Sequence, residues 1–206
     1  MVQKIRKLIK FIKQKIKSSE NKIDFLKASE KMKIHLGCGE VNLEGFINVD
    51  ARDNKHVHIV KNDLYLNEFS DSTLEMIYMC HVLEHISHKE VTGYLTHYCN
   101  KLKDGGVLRL SVPDFDRIIE IYNASGSDCD SIKSPLMGGQ GYEYNYHYNV
   151  FNKKSLMTLL EKAGFKDVRL WYPDKEEGFS GVDWASKKIP YNFGEFVISL
   201  NVEAVK

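Results

Sequence analysis

The chain has 206 residues, 43% of them apolar and 28% charged, with a formal net charge of +1. This suits one globular domain with a short appendage, and no run is apolar for long enough to cross a bilayer. Residues 1–19 carry seven basic side chains and no acidic one, so the rest is net acidic and lacks the basic footprint that nucleic acid requires.

Ile5, Leu8, Ile9, Ile12 and Ile16 recur at three- and four-residue steps, which predicts a basic amphipathic helix from residue 2 to about residue 28. Residues 1–30 then form the appendage and residues 31–206 the domain. The apolar stripe needs cover, either from the domain itself, from self-association through residues 1–28, or from peripheral contact with an anionic membrane surface. The first residues lack the apolar run and cleavage site of a secretory signal, so the expected location is cytoplasmic, with the inner face of the membrane as the place of any peripheral contact.

From residue 32 short apolar runs alternate with helical patterns. Strands are predicted at Lys33 to Leu36, Phe46 to Val49, His58 to Val60, Met76 to Met79, Val107 to Val112, Val168 to Trp171 and Glu195 to Val202. Helices are predicted at Leu83 to Tyr98 (continuing toward Leu102), at Phe115 to Tyr122, and at Lys154 to Ala163, where Gly164 supplies the C-cap. The expected fold is α/β: a seven-stranded, mostly parallel sheet with helices on both faces and an antiparallel last strand.

Cys38, Cys80, Cys99 and Cys129 form no CxxC pair and read as reduced thiols. His81 and His85 stand at i, i+4, but a helix there supplies no third ligand, and no Cys/His pairs have structural-zinc spacing. No metal is expected.

The chemistry-bearing residues stand at strand ends. Gly37-Cys38-Gly39 follows the first strand, where two glycines let the backbone turn sharply and approach a ligand; alone such a pair means only a turn, and the third glycine of a dinucleotide fingerprint is missing. The second strand ends in Asp50, suited to accept from ribose hydroxyls. After the third strand, Asp63 is suited to an exocyclic adenine amine and Leu64 to the face of the ring. Each carboxylate taken singly also fits a solvated loop or a helix cap.

On Leu36-Gly37-Cys38-Gly39, Asn48-Val49-Asp50, Met79-Cys80-His81-Val82-Leu83-Glu84-His85-Ile86, Leu102-Lys103-Asp104-Gly105-Gly106-Val107-Leu108 and Leu159-Leu160-Glu161-Lys162-Ala163-Gly164-Phe165, the chain resembles the class I methyltransferases that use S-adenosylmethionine (SAM). The likeness is to small bacterial members associated with cell-surface glycan biosynthesis, and it runs from residue 33 to about residue 202. It implies a Rossmann-like fold with Gly37, Cys38 and Gly39 beside the methionine part of SAM, Asp50 on the ribose, and Asp63 with Leu64 at the adenine. Cys80 and His81 line the cavity after the fourth strand. One departure is the short interval from Gly39 to Asp50, too short for the helix that normally joins the first two strands, so a loop is expected there.

Methyl transfer from a sulfonium needs alignment and exclusion of water, and a hydroxyl acceptor also benefits from a base. His147, Asp114 and His81 are the candidates, in that order. His147 lies in Tyr142-Glu143-Tyr144-Asn145-Tyr146-His147-Tyr148-Asn149, an aromatic wall after the glycine-rich hinge Met137-Gly138-Gly139-Gln140-Gly141. Asp114 after Pro113 also fits a helix cap, and His85 fits a hydrogen bond that fixes the local helix start. The expected activity is methylation of a small-molecule or carbohydrate acceptor, at oxygen. A nicotinamide-dependent oxidoreductase and a SAM-binding scaffold without turnover in a glycan-biosynthetic complex are the rival readings.

Overall fold

The computed structural model of the protein describes residues 32–206; the amphipathic helix expected at residues 2–28, the domain boundary at residue 30 and any contact made there lie outside the described residues. Nine strands are described: β1 (Lys33–Leu36), β2 (Ile47–Asp50), β3 (Ile59–Val60), β4 (Leu74–Cys80), β5 (Leu102–Pro113), β6 (Lys166–Leu170), β7 (Lys188–Tyr191), β8 (Gly194–Val197) and β9 (Ser199–Val205). Seven form one sheet in the order β3-β2-β1-β4-β5-β9-β6. Pairings from β3 through β5 are parallel, and β9 runs antiparallel to both β5 and β6. The expected sheet is therefore the observed one.

Strand alternation divides the sheet into two chemically different faces. Ile34, Ile47, Ile77, Leu108 and Val202 point to one face and are essentially inaccessible. There they meet α1 (Val91–Lys101) through Leu95 and Tyr98, and the later helix at Lys153–Lys162 through Leu156 and Leu160. The other face carries His35, Asn48, Tyr78, Arg109 and Glu203, all buried. Among the described residues it is covered by Leu43, Phe46 and the segment from Trp171 through Phe179 to Ala185, which includes a 3-10 turn at Pro173–Lys175. Arg109 holds this cover down, pairing with Glu203 at 2.9 Å and Glu176 at 3.0 Å while its guanidinium lies 5.0 Å from the Trp171 ring.

Three predicted elements differ. The helix expected at Leu83 to Tyr98 is a 3-10 turn, Leu83–His85, that ends at an extended Ile86 before α1 begins at Val91. The Ser87 hydroxyl accepts from the Lys89 amide and its carbonyl from those of Glu90 and Val91, a local turn that competes with a continuous helix. His81 and His85 consequently do not share a helical face. The strand expected at Glu195 to Val202 is broken at Ile198: β8 pairs with β7 in a separate hairpin, and β9 alone enters the main sheet. The Gly105-Gly106 turn lies inside β5 as an irregularity of the ladder, where partners pass from Leu74↔Leu102 to Met76↔Val107.

Other elements match closely. Between β1 and β2 there is a loop without a helix, as the spacing requires. α2 (Phe115–Ala124) and the short, unforeseen α3 (Lys133–Met137) precede α4 (Lys153–Lys162). Asn152 and Ser155 close a capping box at the start of α4, and Gly164 follows its end at φ +104°. No helix among the described residues is long and apolar enough to cross a membrane.

Candidate active site

The chain departs from β1 toward β2 and β3 on one side and returns to β4 on the other, so the carboxyl ends of β1 and β4 flank a crevice at the point where the order reverses. A cleft of about 990 Å³ opens there, lined on one side by Gly37, Gly39, Asp50, Asp63 and Leu64 and on the other by His81, Glu84, His85 and His147. Its volume is at the upper end of the ~300–1,000 Å³ typical of ligand sites, enough for a nucleoside cofactor and a second reactant together.

The glycine turn is shaped by close approach. Gly37 at φ +68° and Gly39 at φ +57° occupy the left-handed region, and a Cβ on Gly37 would lie 2.4 Å from Cγ2 of Val82. The amides of Gly37 and Cys38 donate to the Val49 carbonyl, which ties the turn to β2. Asp50 then clamps the far end: its Oδ2 accepts from the Gly39 amide at 2.7 Å, and its Oδ1 from the amide and Nε of Arg52 at 2.9 and 3.3 Å. Asp63 accepts through Oδ1 from the Tyr65 amide and pairs with Lys61 through the same atom, with no hydrogen bond to Oδ2 among the described residues. Burial pushes the Cys38 thiol up to about 12 and raises Cys80 well above its ordinary value. Both are therefore neutral lining groups at neutral pH.

The opposite wall converges on Glu84, whose carboxylate is only 1% exposed. Neither of its oxygens accepts a hydrogen bond; Nδ1 of His81 is 3.4 Å from Oε1 and Nε2 of His147 is 3.9 Å from the same atom. Burial alone would raise the Glu84 carboxyl, but His81 and the neighbouring His85 outweigh it and hold it below the ordinary glutamate value. His81 is a non-glycine residue at φ +54°, with its amide bonded to the Ser111 carbonyl. Such strain persists where the surrounding structure fixes it and is concentrated at functional sites.

His147 is brought in by the loop after α3. Its amide donates to the Met137 carbonyl, and the amides of Tyr148 and Asn149 donate to the Glu84 carbonyl. Gly138 and Gly139 before it serve close packing, since a Cβ on Gly138 would lie 2.4 Å from the Asn145 oxygen, whereas one on Gly141 would meet nothing. Burial lowers the His147 imidazole below its ordinary value, against the pull of Glu84, so it is neutral at neutral pH and offers a lone pair. The His147 and His85 rings meet edge to face with centroids 5.0 Å apart, and His85 Nδ1 reaches the Tyr146 carbonyl across the gap at 3.0 Å. His85 thus tethers the aromatic loop; the role expected for it at a helix start is not what it does.

Asp114 is the N-cap of α2, accepting from the Asp116 amide at 3.1 Å, and does not line the cleft. Burial raises its carboxyl above the ordinary aspartate value. Tyr142, Tyr144 and Tyr148 line the cleft as the aromatic wall expected from the sequence, whereas Tyr146 does not. Glu84, Trp184 and Tyr191 belong to the cleft and were not singled out by sequence. Glu84 stood inside a fold motif, and the other two arrive through the unforeseen hairpin and the segment before it.

The family model described as methyltransferase domain matches residues 2–170, and no curated protein matches the chain. A SAM-dependent methyltransferase from Archaeoglobus fulgidus is similar in structure, with a TM-score of 0.53 and 18% identity over 93% of this chain and 92% of the other. One from Thermotoga maritima gives a TM-score of 0.51 at 16% identity, covering 98% of this chain and 95% of its own. At such identities the likeness is one of fold, while the family match spans most of the sequence. The chain belongs to the methyltransferase domain family and is built on the fold of the SAM-dependent enzymes.

Proposed function

We propose that this protein methylates an oxygen of a small-molecule or carbohydrate acceptor, with SAM as donor. The observation that carries the reading is that the Gly37–Asp50 cradle and the Glu84–histidine cluster face each other across one cleft. SAM supplies, when bound, a methyl group on a sulfonium that a nucleophile can displace in line. Gly37 and Gly39, which carry no side chain, let the backbone on either side of Cys38 come close to the methionine part. Asp50 uses three of its roughly four acceptor positions on Gly39 and Arg52, which leaves one for a ribose hydroxyl and a second where the long Arg52 Nε contact gives way. The free Oδ2 of Asp63 and the side chain of Leu64 suit the adenine amine and ring.

On the acceptor side, Tyr142, Tyr144, Tyr148, Trp184 and Tyr191 line the cleft, and aromatic side chains suit sugar rings and other flat, weakly polar surfaces. His147, kept neutral by burial, offers the lone pair that activates a hydroxyl, with His81 beside it on the same wall. Asp114 is left to its capping role. Aligning the two reactants and excluding water supply most of the acceleration that such a displacement needs.

Calorimetric titration with SAM, and separately with NADH, tests this in wild type and Asp50→Asn. Micromolar SAM binding that weakens about tenfold or more in the variant is expected, since a hydrogen bond to a charged group contributes ~1.5–3 kcal/mol. NADH binding without SAM binding overturns the reading. SAM binding with no methyl transfer to any hydroxyl-bearing acceptor supports a scaffold instead.

A further inference from the structure

We propose that Glu84, His85 and His147 form a binding site for a first-row divalent metal ion of the zinc, cobalt or manganese kind, set in the acceptor half of the cleft. One ligand atom from each lies within 4.8 Å of the other two. Two donors bound to one ion at ~2.0–2.2 Å stand at most ~4.4 Å apart. The 3.9 Å between Glu84 Oε1 and His147 Nε2 lies within this limit, and small side-chain rotations draw the three donors together from separations of at most 4.8 Å.

Hydrogen-bond accounting around Glu84 leads to the same ion. The Ser199 hydroxyl donates its single proton to the Trp184 carbonyl at 2.6 Å, so the 2.8 Å contact from His81 Nε2 has the imidazole as donor. His85 donates from Nδ1 to the Tyr146 carbonyl, which leaves the lone pair of its Nε2 free, the arrangement in which metal-binding histidines are held. The loop that carries His147 is fixed by its amide's bond to the Met137 carbonyl. The buried Glu84 carboxylate accepts no hydrogen bond from the described residues and has imidazole nitrogens of His81 and His147 at 3.4 and 3.9 Å from Oε1, and burying a charge without close partners costs several kcal/mol. A cation between them satisfies every group.

Two histidines and one carboxylate leave coordination positions open, the pattern of catalytic rather than structural metal sites. This part of the proposal rests on the methyl-transfer reading: an acceptor hydroxyl occupying an open position is held beside the donor end of the cleft and loses its proton more easily. The His147 lone pair then goes to the ion and not to the acceptor's proton.

The test uses the full chain stripped with a chelator. Co²⁺ is titrated while its visible absorption is followed, and Zn²⁺ retained after dialysis is measured by elemental analysis, in wild type, Glu84→Gln, His85→Ala and His147→Ala. One equivalent in wild type is expected, with affinity lowered more than about 100-fold in each variant, beyond the 10–100-fold cost of losing an outer partner. His85→Ala and His147→Ala keep the test valid if Glu84→Gln fails to fold, with thermal melting as the check on folding. Failure to bind a stoichiometric ion, or equal binding by folded variants, overturns the proposal and means that the cluster holds a proton. SAM titration of the same preparations separates the two readings: metal binding without SAM binding leaves the ion site standing and removes the methyl-transfer assignment.

Discussion

Gly37 and Val82 are locked together across the floor of the cleft, with no room for a Cβ on the glycine: it would stand 2.4 Å from Cγ2 and 3.1 Å from Cγ1 of Val82. The contact joins the turn after β1 to the segment after β4, the two strands that bound the crevice. Gly37→Ala adds a left-handed backbone cost of ~1–2 kcal/mol to this clash. The expected outcome is a loss of about 2–4 kcal/mol in urea unfolding and more than tenfold in SAM affinity. A Val82→Ala change in the same chain removes the clash but not the backbone cost, and so restores part of the stability.

His35 gives the fold a pH dependence of predictable sign. Its ring is 1% exposed and lies 5.2 Å from that of Tyr78 and 6.5 Å from that of Phe46. Burial lowers its pKa to about 4, against the opposing effects of Asp183, Asn48 and Asp50. The unfolded chain, titrating near 6.5, binds the proton that the folded chain refuses. Stability from this group is therefore fully present above pH ~6.5 and falls toward pH 4 by up to ~1.4 kcal/mol per unit. Urea unfolding across that interval should show a shallower pH slope in His35→Gln than in wild type; equal slopes would assign the dependence to other groups.

Arg109 and Glu203 are both buried and bonded at 2.9 Å, each with a second, more exposed partner, Glu176 and Arg169 respectively. Removing one charge leaves the other partly compensated, so Glu203→Leu is expected to cost about 3 kcal/mol, at the low end for a broken buried pair. Arg109→Met combined with Glu203→Leu should recover part of that loss, because apolar replacement of both partners removes the desolvated charges altogether. Chemical denaturation of the singles and the double reads the coupling.

The four cysteines are free, and Cys129 is the exposed one. Burial holds Cys38 up to about 12 and raises Cys80 and Cys99. An aromatic disulfide reagent at pH 8 should modify one thiol rapidly in the native protein and four in denaturant, with Cys129→Ser abolishing the rapid phase. Rapid modification of Cys38 would mean that the glycine turn opens readily.

The periodic, locally encoded features were legible in sequence. β1, β2 and α4 follow from hydrophobic period and caps: Asn152 at one end of α4 and Gly164 at the other are local signals that need no distant partner. Gly37, Gly39, Asp50 and Asp63 were visible because strand ends dictate where such residues gather. The false helix through Leu83 to Tyr98 had the right apolar spacing. The turn at Ser87 and the bonds from the Tyr148 and Asn149 amides to the Glu84 carbonyl overrode it. The β7–β8 hairpin was hidden because its strands are short, partly exposed and only weakly alternating.

By itself, then, the sequence determined the sheet, its antiparallel final strand and the cleft-lining residues at the ends of the first three strands, because each is written in neighbours a few positions apart. Only tertiary structure decided the other wall of the cleft. His147 stands more than sixty residues beyond the adjacent Glu84 and His85, roughly a third of the chain's length, and meets them because the amides of Tyr148 and Asn149 bond the Glu84 carbonyl. A convergence made by long-range backbone hydrogen bonds has no period and no local motif, so it becomes visible only when the chain is folded.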